Sequence, residues 1–218
     1  MVCRIAAIMM LIFGSACQPM NMSMEVISGS GIHLDESRPV SGFSRIQIKM
    51  GADLAVTQGD TEALTISADD NLLPHIITTV QGGSLIIESN ANLQPSQPIR
   101  LHVNFETLTE IDILGSSNIS GDDLNLEALT IRFDGSGTTR LTGAVQTQSV
   151  YIRGRATINH FDLLSASSAV DISGSATVEV SASDTLQVTV AGQGFVFYDG
   201  DPVITQNISG SASISQRE

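Results

Sequence analysis

Tryptophan is absent from this sequence, and aromatic residues make up only 4% of it. Glycine, serine and threonine are abundant instead, a composition that suits many short strands with tight turns rather than packed helices. Cysteine is scarce: Cys3 and Cys17 are the only two, both near the N-terminus. The body of the chain therefore has no disulfide framework and no thiol nucleophile. Basic residues are few, ten Lys and Arg against 23 Asp and Glu, for a net charge of −13 at pH 7. That balance argues against nucleic acid and against docking on anionic head groups, and its simplest meaning is solubility. Long apolar runs are missing too. The longest, Ile5–Phe13, has nine residues, too few to cross a bilayer.

That run is nevertheless informative. It follows Arg4 and precedes the small residues Gly14, Ser15 and Ala16, the pattern of a secretory leader over 1–16. Ser15, Ala16 and Cys17 resemble the lipobox of bacterial lipoproteins, although Gly14 stands where those proteins usually carry Leu. The resemblance implies lipidation of Cys17 and anchorage to a membrane, and Gln18 implies outer-membrane sorting within the cell envelope. Ordinary cleavage after Ala16 is the other reading, since Gly14 and Ala16 satisfy the small-x-small rule. The polar stretch that follows, residues 17–38, reads as a flexible tether.

An internal ruler organises the rest. "IDILGSSNIS", "IRFDGSGTTRLT", "VYIRGRATINHF", "VDISGSATVEVS", "VTVAGQGFVFYD" and "QNISGSASIS" share a pattern around Gly115, Gly135, Gly154, Gly174, Gly192 and Gly210. Successive glycines are 20, 19, 20, 18 and 18 residues apart. Two and four positions before each glycine, and four after it, the residues are mostly apolar. Two after it they are small: Ser117, Gly137, Ala156, Ala176, Gly194 and Ala212. The odd positions are polar, so each block is a strand with one buried face. Six copies in one register predict an all-β fold, a β-solenoid of 18–20 residues per coil, with coils stacked in parallel. The glycine belongs to the inward parity. Either no side chain fits where the coil bends, or the backbone needs a positive φ there. "LNLEAL", "FDLLSASSAV" and "DPVI" should form a third short wall and its corners.

Residues 109–218 follow the ruler, whereas 39–108 depart from it and read as a capping region. "FSRIQIKMGADLAVTQGD" alternates around Gly51 with its register displaced by one. Asp69 or Asp70 is placed to cap one helical turn before Pro74.

"RPVSGFSRIQIKMGADLAVTQGD", "ADDNLLPHIITTVQGGSLII" and the serial G-S-G-like blocks together resemble the bacterial head-GIN family (DUF2807), also called putative autotransporter adhesin head domains. The resemblance covers about residues 38–215. It implies a right-handed single-stranded β-helix, similar in shape to pectin-lyase-like proteins, and a role in adhesion. It carries over no catalytic residue.

The residues themselves point to no catalytic, metal or cofactor site. His33, His75, His102 and His160 lack metal-ligand spacing, and His160 falls in an inward column, as a hydrogen-bonded core histidine would. No G-x-S-x-G elbow or phosphate loop is present. Two outward features stand out. Asp112 should lie above Arg132 and Asp134 above Arg153, a surface charge ladder. Arg132, Arg140, Arg153 and Arg155 concentrate in neighbouring rungs, either to neutralise these acids or as a basic strip for an anionic glycan. Phe195 and Phe197 should face out, with Val196 and Tyr198 facing in, as a stacking platform for sugar or a protein contact unless a loop covers them. The function expected is a non-enzymatic envelope lipoprotein presenting a rigid face to a surface glycan or protein partner. A polysaccharide-processing enzyme, which needs clustered acids on one wall, and a purely structural envelope protein are the alternatives.

Overall fold

The computed structural model describes residues 25–217; the leader, Cys17 and the first part of the tether lie outside the described residues. Strands account for 69% of the chain and form a β-solenoid of about five turns. Each regular turn has two principal walls. Wall A is the strand that runs up to a column glycine, and wall B begins just after it. On wall A, Ile111, Ile131, Val150, Val170 and Val188 stack in parallel register. On wall B, Ile119, Thr139, Ile158, Val178 and Val196 do the same. All of these are buried, because alternation sends every second side chain inward and successive coils cover them. A shorter wall C contains 124–126, 143–145 and 163–165, and its first coil is entered through a bulge between Gly121 and Leu124. The "DPVI" segment departs from expectation: Val203–Ile208 is the last strand of wall A.

The glycine column marks the corner between walls A and B, and its cause is close approach. A Cβ on Gly135, Gly154, Gly174, Gly192 or Gly210 would fall well under 3.0 Å from backbone of the preceding coil, in each case including the carbonyl oxygen of the preceding column glycine. None of the six has a positive φ. Corner sits on corner, the Cα–H points along the solenoid axis, and the ladder continues through it, as in Ser175 N–H to Gly154 O at 3.0 Å. A side chain is therefore excluded by the neighbouring coil, not by the coil's own interior.

At the N-terminal end, spatial order departs from chain order. Arg45–Ile48 pairs in parallel with both Glu110–Ile113 and Ser84–Ser89 on wall A. Asp53–Gln58 lies likewise between residues 119–121 and Arg100–Phe105 on wall B. Residues 45–58 thus form a coil sandwiched between one that precedes residue 106 and one that follows it. Ile48 is opposite Ile113 and Leu54 opposite Ile119, so Met50 occupies the glycine position and Gly51 comes one step late. The end is closed by antiparallel pairing: Ile76–Gln81 on Ser84–Ser89, Ala63–Asp69 on Arg100–Phe105, and His33–Arg38 on Ala63–Asp69.

Two local expectations are corrected. The tether stops short of residue 38, because Val26–Ser28 and His33–Arg38 are strands, the first paired with Asn92–Gln94. The buried Asp69 carboxylate sews this segment down by accepting from Gly31 N–H, Ser96 N–H and Ser96 Oγ at 2.7–2.9 Å. The turn before Pro74 is a single 3₁₀ turn, Leu73–His75, with no side-chain cap. Asp69 is committed elsewhere, and Asp70 accepts from Asn71 N–H and Ser30 Oγ.

Apart from Asp69 and Ser117, the buried polar side chains among the described residues form one connected chain between coils. Thr139 Oγ1 is 2.5 Å from His160 Nε2, and His160 Nδ1 is 3.2 Å from Gln148 Oε1. Gln148 Nε2 donates to Ser168 Oγ at 2.8 Å and to the Ser181 carbonyl at 3.3 Å. A carbonyl only accepts, so it fixes the Gln148 amide with its oxygen toward His160. His160 must then donate from Nδ1 and accept the Thr139 hydroxyl at Nε2. Burial pushes its pKa down to about 3 and keeps this neutral tautomer.

Candidate functional site

Wall B is a ten-strand face running from His33–Arg38 to Ser211–Gln216. On its six strands from Ser116 to Gln216 the outward positions are mostly Ser, Thr, Asn and Gln, with Arg140, Arg155, Glu179 and the terminal Asp199 charged. One outward column reads Asn118, Thr138, Thr157, Thr177, Phe195, Ser213 in strict register. Phe195 is 57% exposed, Val196 is fully buried, and Phe197 and Tyr198 are half-buried. The platform is thus one fully presented ring with a second partly sunk beside it.

Beneath Phe195 runs a shallow groove of about 240 Å³, lined by Arg155, Thr157, Ser175, Thr177 and Gln193 and floored by Ala156 and Ala176. One apolar ring edge, three hydroxyls, an amide and a guanidinium converge there. This is a donor and acceptor set for a polyhydroxylated ligand lying against an aromatic plane.

The four arginines do not form one strip. Arg132 and Arg153 are on wall A, Arg140 and Arg155 on wall B. Arg132 Nε donates to Glu110 at 2.8 Å, and its guanidinium lies 4.5 Å from the Tyr151 ring centre. Glu110 keeps it firmly protonated. Asp112 is opposite Arg132 in register but accepts from Gln47 Nε2 at 2.8 Å. Arg153 pairs with Asp134 at 3.5 Å. The wall A arginines are therefore spent on neighbouring acids. Arg140 and Arg155 make no ion pair among the described residues.

A second depression on wall B escapes sequence reasoning. It measures about 450 Å³ and is bordered by Asp53, Ser67, Arg100, His102, Asn118 and Ser120. Ala55 stands between His102 and Ser120 in the ladder, and its short side chain opens the gap. Asn118 Nδ2 donates to Asp53 at 2.8 Å, and His102 Nε2 lies 3.0 Å from Asn104 Oδ1. Residues 55, 102 and 120 become neighbours only through the non-sequential coil order, which no spacing in the sequence announces.

The comparisons agree with the fold. The model of the family described as putative auto-transporter adhesin, head GIN domain, matches residues 42–202. A crystal structure of a putative adhesin from Bacteroides fragilis is similar with a TM-score of 0.72 at 18% identity, covering 88% of this chain and 100% of that one. A putative lipid binding protein from Parabacteroides distasonis is similar at 0.54 and 22% identity, covering 89% and 100%. A putative adhesin from Parabacteroides merdae is similar at 0.50 and 16%, again covering 89% and 100%. No curated protein matches the chain. Among the described residues no helix is long and apolar enough to cross a membrane.

Proposed function

The chain belongs to the head-GIN domain family, and on that premise we propose that it is a non-enzymatic adhesion protein of the cell envelope. It is anchored through lipid on Cys17 and binds carbohydrate on the outer face of wall B. The observation that carries this reading is Phe195, an exposed ring within a column of mostly hydroxyl side chains and above a groove. Such a ring offers a flat apolar plane on which a sugar can stack, beside polar groups that can hydrogen-bond its hydroxyls. The enzymatic alternative needs free acids grouped on an outer wall; on wall A, Glu110, Asp112 and Asp134 are each held by Arg132, Gln47 or Arg153.

The test is a glycan array probed with the wild type and Phe195→Ala. An aromatic contact of about 1.5 kcal/mol corresponds to about tenfold in affinity. F195A should lose that much with an unchanged unfolding midpoint. Undiminished glycan binding by F195A, or none by the wild type, refutes the carbohydrate reading. Metabolic lipid labelling that persists in Cys17→Ser refutes the anchor.

A further inference from the structure

The C-terminal end of the solenoid is built differently from the N-terminal end. Among the described residues, Val203–Ile208 and Ser211–Gln216 each have a strand neighbour on one side only. The amides of Val203, Ser209, Ser211 and Arg217 donate back into the preceding coil. In a parallel ladder alternate residues face opposite neighbours. Ile204, Gln206, Ile208, Ala212, Ile214 and Gln216 therefore turn their N–H and C=O groups outward along the axis. Edge strands are usually blunted by Lys, Pro, a bulge or an antiparallel cover. From Val203 to Gln216 there is no charged residue and no proline, and the pairing shows no register shift. Side chains of the inward parity lie open at this end, with Ile204 38% and Ile208 42% exposed.

We propose that this end docks onto the same end of a second copy, edge to edge about a two-fold axis. The occupant follows from charge. In a chain of net charge −13, two copies repel unless they meet through a neutral face. This stretch of fourteen residues offers one, with Asp199 and Asp201 outside the two strands at the corner of wall C. A two-fold axis runs the facing strands antiparallel, as edge pairing tolerates, and makes the contact isologous and closed. The opposite end cannot extend it into a filament, since its outermost wall B strand, His33–Arg38, carries Asp35, Glu36 and Arg38.

Sedimentation of the full chain in density-matched detergent tests the proposal. The wild type should contain two protein copies per particle. Gln206→Lys and Ile208→Lys place a charge on positions that are solvent-exposed in one copy and buried in the pair. Each should halve the mass while the chain stays folded, and its unfolding midpoint should lose the dependence on protein concentration that association gives the wild type. Ile77→Lys, at the other end, should remain at two copies. A monomeric wild type overturns the proposal, as does a series of higher species. Two copies that persist in both Lys variants also overturn it, because association would then run through the leader or another face.

Discussion

Replacing Gly174 by alanine isolates the contact that sets the corner of the solenoid. Gly174 has no positive φ, so an L-side chain costs nothing in backbone conformation. The added Cβ meets the Gly154 carbonyl oxygen and the Arg153 carbonyl, all below 3.0 Å. Neither can retreat freely, because Gly154 O accepts from Ser175 N–H and Gly174 O in turn accepts from Gln193 N–H at 2.9 Å. Relieving the overlap means prising two coils apart at the corner. Overpacking costs about 1–3 kcal/mol, and losing one ladder bond at a half-buried site adds roughly 1–2 kcal/mol. Gly174→Ala should therefore cost about 2–5 kcal/mol. For a domain of this size that is a fall of roughly 5–15 °C in melting temperature.

Three controls make urea unfolding decisive. Gly59→Ala has open space and no positive φ, so it should be neutral or gain a few tenths of a kcal/mol (about 0.4–1). Gly31→Ala has open space but a φ of +81° and should cost only the strain, about 1–2 kcal/mol. Gly210→Ala meets the same kind of carbonyl in the last coil, which can move outward, and should cost less than G174A. A G174A loss no larger than that of G59A would refute the close-approach account.

The remaining expectations concern pH. Above about pH 6.5 His160 is neutral in both folded and unfolded chains. Below it only the unfolded chain takes a proton until the folded value near 3 is reached. Stability should fall by about 1.4 kcal/mol per pH unit through that window. The gap between wild type and His160→Gln, measured by denaturant unfolding at pH 7, 5.5 and 4.5, should shift accordingly in favour of the variant. A pH-independent gap would sink the argument. Asp69 runs on the acid side: the Ser96 hydroxyl, then the Ser96 and Gly31 amides, hold its pKa below the usual carboxylate range. Its stabilisation is present above about pH 4 and lost as pH falls toward the lowered value. Asp69→Asn should flatten that part of the acid unfolding curve, and an unchanged acid limb would contradict it.

The regular half of the solenoid was legible in the sequence because identical coils impose identical constraints on the same columns. Burial of Ile131 and Val150, the outward Phe195 and the inward His160 all follow from parity counted from a glycine. The reason for the glycine was not legible, since a crowded corner and a positive φ demand the same residue. The N-terminal half was readable only as strands. Its coils interleave, so Met50 occupies a glycine position and Asp53, His102 and Ser120 converge without any common spacing. The arginine strip failed for a related reason. Positions one before and one after a column glycine are close in sequence but on different walls, which sends Arg153 to Asp134 and leaves Arg155 beside Phe195.

Charge separates the three walls more sharply than shape does. On wall A, Glu110 answers Arg132 and Asp134 answers Arg153, so both of these arginines are engaged before any ligand arrives. Wall C and its corners carry Asp122, Asp123, Glu127, Asp162, Asp184, Asp199 and Asp201 without a single Lys or Arg between residues 121 and 128, 142 and 147, 161 and 166, or 181 and 202. An anionic surface is repelled there. Wall B alone combines uncommitted hydroxyls, an exposed ring and, among the described residues, arginines without an ion pair (Arg100, Arg140 and Arg155). Its neutrality lets a polar ligand approach without displacing a salt bridge, at about 1 kcal/mol for each such pair. A ligand of wall B should accordingly depend weakly on ionic strength, in contrast to one held by a basic strip. Affinity measured at low and at high salt separates the two: a steep fall with salt would return the site to the arginines.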